Sequence, residues 1–108
     1  MTTFAIHVRG DQVGGGWGRA HTVAIAQTEA GQITSWTEHE VCWDVLHGEG
    51  SHGAHHARVV RFLRENRVDV VISGHMGAPM ERTLRGLGIA SVTGAEGSAR
   101  AIVASLAV

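Results

Sequence analysis

The chain predicts an α/β fold with a mixed sheet, and three observations carry that expectation. Residues 4–42 hold three β-rich stretches separated by turn signals. Residues 54–106 alternate helix-period segments with short apolar runs, the pattern of βαβ crossovers. The composition, 44% hydrophobic and 18% charged over 108 residues, suits a single domain spanning 1–108 with one core.

The elements follow in order. Phe4 to Val8 alternates Phe4, Ile6 and Val8 with Ala5 and His7, giving a strand with one strongly apolar face. The Gly-rich turn Gly10 to Gly18 leads to a second strand, His21 to Gln27. After the turn signal "EAGQ", Ile33 to Cys42 is rich in Thr, Trp and Val and makes a third. His47 to Gly53 reads as a loop, and Ala54 to Asn66 as a helix with Val59, Val60, Phe62 and Leu63 inward. "VDVVIS", Val68 to Ser73, suits a buried parallel strand. Pro79 and Gly88 bracket a helix over Met80 to Leu87. "IASV" is a fifth strand, and Ala99, Ile102, Val103 and Leu106 form the inner face of a closing helix.

Three antiparallel strands followed by crossovers predict a five-stranded sheet of order 3-2-1-4-5 with about three helices, a ribonuclease H-like layout. Ligands of open α/β sheets gather beyond the carboxyl ends of the strands. Three loops converge there in this layout: Gly10 to Arg19, His47 to His56, and Ser73 to Pro79.

Composition narrows the function classes. A net charge of -1 gives no reason to expect nucleic acid or an anionic membrane as partner. No stretch approaches the ~18 apolar residues of a membrane span, and no secretory signal opens the chain. Cys42 is the one cysteine, so no intramolecular disulfide can form, and a cytoplasmic location is expected.

The segment "HGEGSHGAHHARVV" places His47, His52, His55 and His56 within ten residues. His52, His55 and His56 share a helix face that continues into Val59 and Leu63, at the rim of the core. His75 ends the next parallel strand nearby. Neutral imidazoles on neighbouring elements suit Zn, Fe, Cu or Ni, so His47, His52, His55, His56 and His75 are candidate metal ligands. The plain alternative is a polar loop with surface and capping histidines. A helix N-terminus carries partial positive charge, which favours an anionic cluster over a bare cation.

"GDQVGGGWGRA" lacks the P-loop pattern and joins two strands, so a flexible hairpin loop is its plain reading. In the functional reading, amides of Gly14, Gly15, Gly16 and Gly18 with Arg19 hold an anion. Trp17 would cover it as a lid, and Asp11 would orient a histidine or accept a hydrogen bond. Gly74 and Gly77 permit close backbone approach in "SGHMGAP", either to bind a cofactor or simply to make a tight turn that needs small residues, while Met76 and Met80 read as core. Cys42 is read as a buried thiol, with cluster ligation as the alternative, and Trp36 and Trp43 as packing residues of the sheet. Nuclease chemistry on a ribonuclease H-like frame needs clustered carboxylates, which FAIHV lacks, and no GxSxG elbow appears.

Three stretches together resemble the dinitrogenase iron–molybdenum cofactor-binding family. "GGGWGRAHTVAIA" is similar to its Phe-Gly-Arg-Ala-type loop, with Trp17 where Phe is usual. "HHARVVRFLRENRVDVVISGHMG" is similar to its helix, strand and Gly-x-x-Gly turn, and "MERTLRGLGIASVTGAEGSARAIV" to its closing elements. The resemblance implies a ribonuclease H-like fold and binding of an iron–sulfur or iron–molybdenum-type cluster or its precursor, without catalysis. The dense histidines depart from the plainest family pattern. The expectation is a non-catalytic carrier or accessory protein for such a cluster. A protein binding a single Zn, Ni or Fe ion with the same histidines is one alternative, and a metal-dependent hydrolase of a small anionic substrate another. Candidate partners are a protein that donates or receives the cluster and a second copy of the chain.

Overall fold

Strand β1 (Thr2–Arg9) lies in the middle of the sheet and is buried on both faces. Phe4, Ile6 and Val8 enter a cluster with Ala24, Ala26, Ile72, Ala99 and Val103. Ala5 enters the opposite one, with Val23, Ile25, Val59, Leu63, Val71 and Leu84. Thr3 and His7 share the Ala5 side by the two-residue period, and both are buried. The structure is a computed structural model, and it describes residues 1–46 and 52–107.

A short strand β2 (Gln12–Val13) folds back antiparallel on β1, and a 3-10 turn, Trp17–Arg19, follows. Strands β3 (Thr22–Glu29) and β4 (Gln32–Glu40) form a hairpin. Its two-residue loop puts Ala30 at φ 52° and Gly31 at φ 79°, the double left-handed setting that matches strand twist. Helices α1 (Trp43–Leu46) and α2 (His52–Glu65) lead to β5 (Val70–Ile72). Helix α3 (Ala78–Gly86), strand β6 (Ala90–Val92) and helix α4 (Ala99–Leu106) complete the chain.

The sheet runs β4-β3-β1-β5-β6. β1 pairs antiparallel with β3 and parallel with β5, and β5 pairs parallel with β6. Helices α2 and α3 cover one face through Val59, Leu63, Met80 and Leu84; α4 covers the other through Ala99 and Val103. The Ser98 hydroxyl caps α4 by accepting the Ala101 N–H at 3.2 Å.

Several expectations are corrected. The described residues hold four α-helices rather than about three. The third strand stops at Glu40, because Cys42 takes a left-handed φ of 55° and turns the chain into α1. Trp43 therefore packs from a helix rather than a strand, edge-on to Trp17 at 5.2 Å and to Phe62 at 5.5 Å, in the core cluster that covers Ala5, Val23 and Ile25 of the sheet. Cys42 itself is half-buried. Leu106 is exposed, and Ala107 fills the end of the α4 core instead. No helix among the described residues is long and apolar enough to cross a membrane.

Candidate functional site

The Gly-rich segment is not a flexible hairpin loop. Gly14 N–H donates to the His7 carbonyl at 2.8 Å, anchoring the segment to β1. Gly74 N–H reaches the carbonyls of Gly14 and Gly15, His75 N–H reaches Gly15, and Trp17 N–H reaches the His75 carbonyl at 2.8 Å. Backbone thus laces the loop after β2 to the turn after β5. Glycine is needed for this approach: a Cβ on Gly74 would stand 2.9 Å from the Gly14 carbonyl oxygen.

Beside that seam lies a cleft of about 210 Å³. Gly16, Trp17, Gly18 and Arg19 line it from the loop, and His55 and His56 from α2. His75, Met76, Gly77, Pro79 and Met80 line it from the turn into α3. Met76 and Met80 are buried, as expected of core residues. The N-cap of α3 is Gly77, which offers no side-chain cap, and Pro79 has no N–H, so the open amides of the first turn are those of Ala78 and Met80.

The predicted ligands are distributed unevenly. His55 is buried, with both ring nitrogens engaged: Nε2 donates to the Gly18 carbonyl at 2.8 Å, and Nδ1 accepts from Arg58 at 2.9 Å. Its geometry ties α2 to the loop. His56 is half-buried and His75 exposed, and both line the cleft. His47 and the side chain of His52 lie outside the described residues. Among the described residues, no three His, Cys, Asp or Glu side chains are grouped to hold a metal ion.

Trp17 is fully buried and forms the floor of the cleft rather than a lid. Its indole Nε1 is buried without a hydrogen-bond partner. Gly15 lines a neighbouring hollow instead, and Gly14 is buried against His7. Asp11 sits on the turn between β1 and β2, where its carbonyl accepts the Ala99 N–H and its carboxylate accepts from the Gln12 side-chain amide at 3.3 Å; it does not line the cleft. Cys42 is also outside the cleft lining.

Two histidines that sequence reasoning left aside have defined chemistry. His7 is buried, with Nδ1 lacking a hydrogen-bond partner. Burial lowers its pKa below the ordinary histidine value and Arg9 lowers it further, while the carbonyls of Gly15 and Gly16 and the charge of Asp44 partly oppose this. The folded state therefore favours neutral His7. That contribution to stability is present above the ordinary value and is lost as pH falls through the lowered one. The one signal in the sequence was a histidine in phase with Ala5 on a strand buried on both sides.

His21 Nδ1 stands 3.1 Å from both Asp44 carboxylate oxygens, and Nε2 stands 3.7 Å from Glu40. The hydrogen bond to Asp44, followed by its charge, raises the His21 pKa. A raised folded pKa stabilises the protein below the ordinary value, and this is lost as pH rises through the raised one. NMR of the His21 ring proton should show a midpoint above the ordinary value that drops in Asp44→Asn. An unchanged midpoint in that variant would remove Asp44 as the cause.

Comparison with known proteins gives one family match and several fold matches. The family described as "Dinitrogenase iron-molybdenum cofactor" matches residues 1–107. No curated protein matches the chain by sequence. The structure of PH0822 is similar at TM-score 0.77 and 19% identity, covering 97% of this chain and 88% of that one. The apo form of the orange protein from Desulfovibrio gigas is similar at TM-score 0.76 and 19% identity, covering 98% of this chain and 87% of that one. A provisionally named NifB protein from Thermotoga is similar at TM-score 0.65 and 19% identity, covering 98% and 87%. At these identities the structures establish the shared fold.

Proposed function

Because the chain belongs to the dinitrogenase iron–molybdenum cofactor family, we propose that it is a non-catalytic carrier or accessory protein for a metal cluster. Its cargo would be an iron–sulfur or iron–molybdenum-type cluster or a precursor, held in the cleft between the Gly16–Arg19 segment and the start of α3. The three antiparallel strands followed by two parallel ones support the ribonuclease H-like reading of its frame.

The observation that carries the proposal is the donor set of this cleft. Arg19 is unpaired with any carboxylate among the described residues. The buried Trp17 Nε1–H has no acceptor, and the α3 N-terminus presents amides with a partial positive charge. These are groups for the sulfide or oxo surface of an anionic guest. His56 and His75 add imidazole nitrogens for its metal atoms. His55 holds Gly18 in place and positions the loop. A single Zn, Ni or Fe ion needs a tight group of ligands, and among the described residues no three His, Cys, Asp or Glu side chains form one. A protein that gives or takes the cluster is the partner this reading requires.

Anaerobic purification or reconstitution tests it. The loaded protein should be coloured and contain iron and sulfide, and the double variant His56→Ala/His75→Ala should retain at least tenfold less, about 1.4 kcal/mol in binding. Stoichiometric Zn or Ni without sulfide would replace the cluster with a single ion. Turnover of an anionic substrate, lost in His75→Ala, would make the protein a hydrolase. No metal above background, and no shift of melting temperature on adding metal, would end the metal reading altogether.

A further inference from the structure

On the other side of the Gly16–Arg19 segment lies a second, more polar hollow of about 380 Å³. His7 and Arg9 line it from β1, Arg19 from the end of the 3-10 turn, His21 from the residue before β3, and Asp44 from α1. We propose that this hollow binds a small tetrahedral oxyanion of the phosphate or sulfate class, at a site that meets the cluster cleft at Gly16 and Arg19.

Charge decides the class of guest. Guanidinium groups stay protonated, so Arg9 and Arg19 repel a cation at any working pH. Among the described residues neither is paired with a carboxylate. The one carboxylate lining the hollow, Asp44, is already engaged by His21 Nδ1 and by the Val45 N–H at 3.0 Å. Glu40 approaches His21 from β4 but does not line the hollow. The walls therefore carry a surplus of positive charge beside glycine backbone at Gly15 and Gly16. Guanidinium forks match two oxygens of a tetrahedral anion, which gives shape as well as charge selectivity.

His7 adds a buried imidazole to the wall between Arg9 and the glycine backbone. Only 6% of it is exposed, it lines the hollow, and its Nδ1 has no hydrogen-bond partner. Gly14 leaves the space in which the ring lies, because any side chain there would collide with it.

The test is titration of the full chain with sodium phosphate, and in a parallel arm sodium sulfate, at constant ionic strength. Backbone amides and histidine rings are followed by NMR, with chloride as the control. Saturable shifts centred on His7, His21, Gly15 and Gly16 are expected. Arg9→Gln should weaken phosphate binding at least tenfold and His21→Gln severalfold, with the iron and sulfide content of reconstituted protein unchanged. Arg9 and His21 are exposed, so both variants should fold; if Arg9→Gln does not, His21→Gln decides alone. Shifts that never saturate or that chloride reproduces would overturn the proposal. So would wild-type affinity in the variants, or shifts centred on His75 and Gly77 to Met80. Cluster loading is read independently, so either proposal can fail without the other.

Discussion

Gly14→Ala should melt far below the parent protein, although it adds one methyl group. The new Cβ would fall 2.5 Å from His7 Nε2, 2.6 Å from Cδ2 and 2.7 Å from Cε1, inside the contact distance of the whole ring edge. His7 cannot swing aside freely, because its strand is packed on both faces and Gly14 N–H is bonded to the His7 carbonyl. Either the ring is driven off its rotamer or the loop lifts from β1. Overpacking of this kind costs about 1–3 kcal/mol. At about 4–8 °C per kcal/mol for a domain near this size, the melting temperature should drop by on the order of 5–20 °C. The double variant Gly14→Ala/His7→Ala tests the cause. Removing the ring removes the collision, so the pair should be more stable than the sum of the single losses. Additive losses would show that the ring yields without strain and that Gly14 is needed for another reason.

The same contact shows where sequence reading stops. "GGG" announces backbone freedom, but not that one glycine must lie against an imidazole on β1 and that a second, Gly74, must touch the first. Those are facts of long-range packing. Strands such as FAIHV and VDVVIS were legible because the period of two and short apolar runs are local signals. The helix at Ala54 to Asn66 was legible through Val59 and Leu63, and α2 starts two residues earlier and ends one residue sooner. Helix α1 was not legible: WDVL continues a strand-like run, and only the left-handed backbone at Cys42 breaks it.

The histidines divide in the same way. Helical phase placed His55 and His56 beside the loop and turn, where the cleft forms. Phase could not show that His55 would spend both nitrogens on Gly18 and Arg58, since the first partner is 37 residues away in sequence. Nor could it pair His21 with Asp44, 23 residues apart. The positions of candidate ligands were therefore easier to foresee than their free valences. Among the described histidines, His55 has neither nitrogen left for a guest.

Trp17 offers the second large effect and separates packing from binding. Trp17→Ala should cost about 3–5 kcal/mol, because a fully buried indole in edge contact with Trp43 is replaced by a void. It should also remove the floor of the cleft, so lost cluster binding in this variant says little about contacts. Trp17→Phe is the informative change, and Phe is the residue usual in the resembling family's loop. It keeps an aromatic ring for Trp43 but deletes the Nε1–H that is buried without an acceptor. Leaving such a donor unsatisfied costs about 1–3 kcal/mol, so its removal should offset much of the lost burial. The unloaded Trp17→Phe protein should therefore melt close to the parent. If the indole N–H serves the guest, the same variant should lose cluster content after reconstitution, with iron and sulfide falling together. Full loading in Trp17→Phe would instead assign the extra ring of Trp17 to packing alone, and leave Arg19, His56, His75 and the α3 amides as the groups that hold the cluster.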